Sequence, residues 1–404
     1  TAAPHGATRR TFQPPFTSTQ SGVLYRNPKS HVRSVHAYFP SVVVFNERHL
    51  GATVVLGEAF ESPDLHLVYF ESRNGGETWE RKAFVTKPDP ELKSSSAGRL
   101  TLLADGSLLA IVARHERNPD DDGLTECSTI AFVPMGVEIY RSNDQGLTWS
   151  GPEKICPPIA DTAFEICSPV EVLDDGTMLW PTSTWPRIGQ DVRPEGFRTG
   201  VFVSRDGGTS WPEWIETYPN DECNYWEAKV LVLPDRRLLS VAWAHELATG
   251  TDRPNQFVLG QPDASNWSAP QSTGILGQTM SVVPLPNERI LSVYRRIDEP
   301  GLWATVSRLN GEEWTNEESL PLWQGTEGAS EDPHRIREHF ATLKFGGPSV
   351  VLLPDGRGFV AFWCVVNGVS QISTLILDVS QQLSTEKSHS EKLLSNASLG
   401  GQGF

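Results

Sequence analysis

The stretch Ser204-Arg205-Asp206-Gly207-Gly208-Thr209-Ser210-Trp211 decides the reading of the chain, because its wording recurs at long, regular intervals. It returns as Ser72-Arg73-Asn74-Gly75-Gly76-Glu77-Thr78-Trp79 and as Ser142-Asn143-Asp144-Gln145-Gly146-Leu147-Thr148-Trp149. Two worn copies end at Trp267 and Trp314. In each, an Asp or Asn side chain can accept backbone N–H bonds, Gly can take positive φ, and Trp can fold back onto neighbouring strands. That is the chemistry of a tight turn between two strands.

A second phrase interleaves with the first: an apolar run, a tight turn, and another apolar run. Its six copies begin at Val42, Leu100, Val170, Val230, Val282 and Val350. Their turns are Asn46-Glu47, Asp105-Gly106, Asp175-Gly176, Asp235-Arg236, Asn287-Glu288 and Asp355-Gly356. Runs rich in Val and Leu on both sides of such turns read as hairpins. Hairpin, third strand, turn and fourth strand then repeat every roughly 50–70 residues, the range of propeller blades. The expected fold is all-β, a six-bladed β-propeller over residues 22–379. Residues 1–21 read as an extended arm and 380–404 as a polar tail. The last blade reads as three strands ending near Leu377, and Gly22-Val23-Leu24-Tyr25 supplies the fourth, closing the ring and removing an open edge.

Composition narrows the partners. A net charge of -16 argues against nucleic acid and against an anionic membrane surface, both of which reward a basic face. No apolar run is long enough to cross a membrane. Thr1-Ala2-Ala3-Pro4 reads as a mature or trimmed start, and the expected setting is an extracellular monomer acting on carbohydrate. The five cysteines, Cys127, Cys156, Cys167, Cys223 and Cys364, match no zinc spacing. They leave open one or two disulfides among Cys156, Cys167 and Cys223, or buried free thiols. Two triplets, Asn266-Trp267-Ser268 and Asn396-Ala397-Ser398, are glycosylation acceptors in a secreting host. No cofactor or metal signature is present; Asp120, Asp121 and Asp122 read as a solvated loop, with a structural calcium there left open.

In a propeller blade the innermost strand crosses the disc and the second returns. Both sets of turns therefore share one face, and residues entering first strands or leaving second strands surround the opposite mouth of the axis. Entering are Arg33, His36 and Tyr38, then Arg99, Glu165, Trp226 with Glu227, and Gln278; leaving are Arg114, His245, Arg295 and Arg296. Taken singly, each Arg or Glu is more often a solvated rim residue and each His a hydrogen-bonded structural one, so convergence carries the reading. Glu165 and Glu227 adjoin apolar strands, where a charge is costly unless it faces the axis. Two carboxylates across a sugar are the equipment of glycosidic cleavage: one protonates the leaving oxygen, the other attacks the anomeric carbon or activates water. Arg33, Arg99, Arg114, Arg295 and Arg296 would bind hydroxyls or a carboxylate, and Trp226 would stack on the ring.

The turn phrase Ser-x-Asp-x-Gly-x-Thr-Trp resembles the Asp-box, or BNR repeat, of sialidases, and the resemblance spans about 38 to 377. Trp226-Glu227-Ala228-Lys229-Val230-Leu231-Val232-Leu233-Pro234-Asp235 is similar to the sialidase segment whose Glu serves the nucleophile, which implies that role for Glu227. The chain departs from a typical sialidase elsewhere. Tyr38-Phe39-Pro40 stands where the family has Arg-Ile-Pro, His245 follows where it has Asn-Ala-Arg, and Phe345-Gly346-Gly347 stands where the nucleophilic Tyr belongs. Retaining exo-arabinanases on the same scaffold use two Glu carboxylates from adjacent blades, and Trp226-Glu227 is similar to their Trp-Glu. Propeller polysaccharide lyases use a His or Tyr base with Arg on a uronate, a role for which His36, Tyr38 and His245 are available. A non-catalytic carbohydrate-binding propeller is the third expectation.

Overall fold

The computed structural model describes residues 17–89, 93–118, 123–125, 131–189, 197–219, 222–324 and 343–379. These residues form six antiparallel sheets arranged as the blades of a ring, with no helix among them. Blade one comprises β2 (His36–Val44), β3 (Leu50–Gly57), β4 (His66–Ser72) and β5 (Glu80–Phe84), and blade two β6 (Ser94–Leu102), β7 (Leu108–Glu116), β8 (Met135–Ser142) and β9 (Ser150–Ile155). Blade three holds two short inner pieces, β10 (Ala163–Phe164) and β11 (Glu171–Val172), beside β12 (Met178–Trp185), β13 (Thr199–Ser204) and β14 (Glu213–Tyr218). Blade four comprises β15 (Cys223–Val232), β16 (Leu238–Glu246), β17 (Thr251–Gly260) and β18 (Gln271–Ser272). Blade five comprises β19 (Gly277–Leu285), β20 (Arg289–Arg296), β21 (Gly301–Asn310) and β22 (Glu313–Trp323).

Blade six is closed by the N-terminus. β1 (Thr17–Tyr25) pairs with β25 (Val369–Asp378), outside β24 (Gly358–Val366) and β23 (Phe345–Leu352). The strand begins at Thr17, five residues earlier than the expected arm allowed, because an outermost strand faces solvent and carries no apolar alternation to mark it. The start of the arm and the polar tail lie outside the described residues.

Register places both families of turns on one face. Met178 opposes Ser204, so the end of the third strand lies beside the Asp175-Gly176 turn. Within the quoted turn, Ser204 Oγ accepts the Gly208 N–H at 2.9 Å and donates to Asp206 Oδ1 at 2.8 Å. Asp206 accepts the Ser210 N–H and hydroxyl, and these bonds hold its carboxyl down to about 2. Trp211 Nε1 donates to Gly208 O at 3.1 Å. The Ser72 and Ser142 copies repeat these bonds. The worn copies keep less: Trp267 still donates to Ala264 O, whereas Trp314 turns to Asn316.

Each turn also meets the preceding blade. A Cβ on Gly76 would lie 2.4 Å from the Phe359 ring of blade six, and one on Gly146 would lie 2.1 Å from the Tyr69 ring of blade one. Both glycines sit at positive φ, +90° and +91°, so the turn needs the residue with no side chain twice over. Gly106 shares the conformation, φ +84°, but has nothing within 4 Å of its would-be Cβ.

These two sites separate strain from packing. Gly106→Ala should cost about 1 kcal/mol from positive φ alone. Gly146→Ala should cost at least about 2 kcal/mol, since the Tyr69 ring must also move. Equal denaturation midpoints for the two variants would show that the glycine contact does not hold the blades together.

Candidate functional site

The inner strands show how the site is built. Immediately before each apolar run stand Ser41, Arg99, Pro169, Lys229, Ser281 and Ser349 in blades one to six. The three serines staple neighbouring blades: Ser41 Oγ accepts the Leu100 N–H at 2.9 Å, Ser281 Oγ the Val350 N–H at 3.2 Å, and Ser349 Oγ the Val42 N–H at 3.1 Å. Blades two and four, which flank blade three, carry cations at this position. Both reach the same atom: Arg99 Nε donates to Cys167 O at 3.2 Å, and the Lys229 ammonium donates to that same oxygen.

Blade three makes this possible because its inner strand is broken between Phe164 and Glu171. Pro169 has no N–H and restricts Ser168 before it, which disfavours a continuous ladder through residues 165–170. Burial lowers the proton affinity of Arg99 and Lys229, and the acidic groups of Cys167 and Glu227 work against that effect. Burial pushes the Cys167 thiol well above its ordinary range.

A second device turns residues out of the ladders. β2, β15, β19 and β23 each carry a bulge near the middle, and its first residue takes positive φ: Phe39 at 47°, Glu227 at 53°, Thr279 at 52° and Gly347 at 51°. Glu227 therefore sits inside β15 rather than at its entrance as the sequence reading had it. The Glu227 N–H, freed from pairing, donates to Glu165 at 3.0 Å (Oε2) and 3.3 Å (Oε1).

Glu165 also accepts the Trp185 Nε1–H at 2.9 Å. Its carboxyl is pushed up to about 7, first by burial and then by the charge of Glu227, against the pull of hydrogen bonds from Trp185, Cys167 and the Glu227 amide. Glu165 thus has the properties of a proton donor near neutral pH, beside a second carboxyl group that stands near two cations.

Aromatic rings continue from this pair. Trp226 lies between Trp185 (centroids 5.4 Å apart, planes at 24°) and His245 (5.0 Å, 25°). His245 Nδ1 contacts Asp252 Oδ1 at 2.7 Å, Gln278 Nε2 donates to Asp252 Oδ2 at 2.8 Å, and Arg295 donates to Gln278 Oε1. Burial opposes ionisation of Asp252, but the bonds from His245 and Gln278 prevail and leave its carboxyl below the ordinary range. Asp252 escaped the sequence reading. The signal was in the hairpin register, where His245 and Asp252 are directly opposed across β16 and β17.

The structure thus gathers Glu165, Glu227, Arg99, Trp226, His245, Gln278 and Arg295 into one connected set. Five other candidates fall elsewhere. Tyr38 is 5% exposed among Phe60, Trp363 and Phe39, and burial raises its hydroxyl far above the range of a base. His36 Nδ1 accepts the Ser370 N–H at 3.0 Å and is tied to the backbone of blade six. Arg33 is exposed on an open rim depression beside Asn27 and His31. Arg114 turns to Glu138 at 3.9 Å, and Arg296 grips Asp298 at 2.7 and 2.9 Å while its guanidinium covers Trp303 at 4.4 Å. Strand ends alternate between faces, and a local acid holds Arg296 by two hydrogen bonds while Arg114 lies only within ion-pair range of its own.

Cys156, Cys167, Cys223 and Cys364 are free thiols, which removes the disulfide alternative among the first three; Cys127 and Asp120–Asp122 lie outside the described residues. Among the described residues no cluster of three or more His, Cys, Asp or Glu forms a metal site.

Trp185→Phe should keep the ring stack but remove a hydrogen bond that lowers the Glu165 pKa, so that pKa should rise. Carbon-13 titration of the glutamate carboxyls measures it; an unchanged or lower value would contradict the assigned bond.

No family profile and no curated protein sequence matches the chain. Solved structures do. A protein of unknown function from Dyadobacter fermentans aligns with TM-score 0.70 at 20% identity, over 91% of this chain and 100% of its own. The alpha-L-arabinanase of Penicillium chrysogenum, complexed with arabinobiose, aligns with TM-score 0.61 at 15% identity, over 90% and 99%. The NanB sialidase of Streptococcus pneumoniae aligns with TM-score 0.62 at 10% identity, over 91% and 71%. Its structural neighbours include glycoside hydrolases, and the chain has the sialidase-like six-bladed β-propeller fold.

Proposed function

We propose that the chain is an exo-acting glycoside hydrolase that cleaves a terminal sugar at the propeller axis. Glu165 is the general acid, and Glu227 is the carboxylate that attacks the anomeric carbon or activates water. The observation that carries this reading is the direct contact between the Glu227 amide and a Glu165 carboxyl raised to about 7. Two carboxyl groups whose surroundings separate their roles are the mark of acid and nucleophile in glycosidic cleavage.

Arg99 and Lys229 support the division: Arg99 feels the charge of Glu227, Lys229 feels Glu227 ahead of Glu165, and neither donates a hydrogen bond to Glu165. A terminal arabinofuranoside is the first substrate to try. The chain aligns over nearly the full length of an arabinanase, and Tyr38 fills the position of a sialidase arginine. Eliminating chemistry loses two of its three proposed bases, because His36 and Tyr38 are engaged elsewhere.

Aryl α-L-arabinofuranosides with good and poor leaving groups, run beside an aryl sialoside, test the assignment. Glu227→Gln should lose roughly 10³-fold or more on both arabinofuranosides. Glu165→Gln should lose a comparable factor on the poor leaving group and much less on the activated one, which needs no proton. In the wild type, kcat/KM should fall as pH rises through about 7, where Glu165 gives up its proton. That basic limb should vanish for Glu165→Gln on the activated substrate. Full activity of Glu227→Gln would refute the scheme, and binding without turnover across the panel would make the chain a carbohydrate-binding propeller.

A further inference from the structure

Thr279 occupies in blade five the position that Glu227 occupies in blade four. Each begins the bulge of its inner strand, with the register shifting between Trp226 and Lys229 in one and between Gln278 and Ser281 in the other. Both have left-handed backbone, φ 53° and 52°. In blade six the same place is held by Gly347, which adopts that conformation without strain. A β-branched residue there is a true outlier and carries a strain cost that glycine would not.

The side chain makes no use of that cost within the fold. Thr279 Oγ1 is buried and has no hydrogen-bond partner among the described residues. Its neighbour across the bulges is blade six backbone: a Cβ built on Gly346 would lie 3.8 Å from Thr279 Oγ1. The adjacent Gln278 is already engaged, holding Asp252 and held by Arg295. A buried hydroxyl without a partner calls for an explanation, and a bound polar ligand supplies one. The bulge that brings Glu227 to Glu165 is repeated one blade on, so the same turn of the backbone takes Thr279 out of its own ladder.

We propose that Thr279 is a substrate-binding residue whose hydroxyl pairs with a hydroxyl group of the sugar held between Glu165 and Glu227. The assignment deepens the hydrolase reading and rests on it. A hydroxyl both donates and accepts, so it suits a sugar hydroxyl, which does the same. Sites that hydrogen-bond a substrate hydroxyl discriminate strongly against analogues lacking it, because the buried protein group is then left unpaired.

Thr279→Val keeps the branched shape and the backbone demand while removing the hydroxyl. It is compared with the wild type on an activated aryl α-L-arabinofuranoside and its monodeoxy analogues. Wild type should lose about 10–100-fold in kcat/KM on one analogue. Thr279→Val should lose a similar factor on the parent and nothing further on that analogue, with an unchanged melting temperature. Thr279→Gly, which relieves the backbone, should melt higher yet show the same loss of discrimination. Parent activity equal to wild type, or losses that add on every analogue, would overturn the proposal. If wild type cleaves no member, the hydrolase reading fails on its own. Calorimetry with L-arabinose then decides this one: weaker binding by Thr279→Val supports it, and equal or undetectable binding by both proteins overturns it.

Discussion

The carbonyl oxygen of Cys167 takes hydrogen bonds from two cations at once, Arg99 from blade two and Lys229 from blade four. The contact sits in the break of blade three's inner strand, between Phe164 and Glu171, and the ends of that break need something to hold them. The cations do so. Removing water from two charges is costly unless each finds acceptors and opposite charge, and the carbonyl with the carboxylate of Glu227 supplies both. The arrangement therefore binds three blades through one peptide oxygen and fixes where Glu165 stands.

The bulges act in the same sense. A propeller's inner strands ordinarily direct side chains into the packing between blades, where carboxylates have no place. By inserting a left-handed residue, β15 lifts Glu227 out of that packing and exposes its amide to Glu165. The backbone strain is local, and blade three holds β15 on the far side of the bulge through Lys229 on Cys167 O and the Val232 N–H on Glu171. Rigidity from the turns on one face thus supports irregularity near the axis.

What was legible in the sequence follows from how local each signal is. The turns could be read because Ser204, Asp206, Gly208 and Trp211 lie within one short phrase and bond to one another. Glu165 and Glu227 could be read because charge beside apolar runs is anomalous at any register. The bulges could not be read, since they are differences in pairing between two strands and leave no mark of their own; Phe39, Thr279 and Gly347 share a backbone and no chemistry. Arg114 and Arg296 were misplaced because rim position says nothing of which face a side chain takes; Asp298 holds Arg296, and Glu138 lies within ion-pair range of Arg114. β1 was read short because its outer residues need not be apolar.

The disposition of the cations bears on the substrate. Arg99 and Lys229 spend donors on Cys167, Arg295 on Gln278, Arg114 turns to Glu138 and Arg296 is held by Asp298. An acidic sugar needs a guanidinium fork presented to it, whereas Arg296 has closed its fork on Asp298 and Arg99 and Arg295 have donors committed to protein oxygens. Hydroxyls ask for less: single donors and acceptors at fixed positions, with a flat ring beneath. On the proposed reading, Thr279 and the His245–Asp252 pair supply the polar part of that description, while the faces of Trp226 are taken by Trp185 and His245. The hydrolase proposed above would on this ground favour a neutral sugar over an anionic one, a distinction that the net charge of the chain alone would not have made.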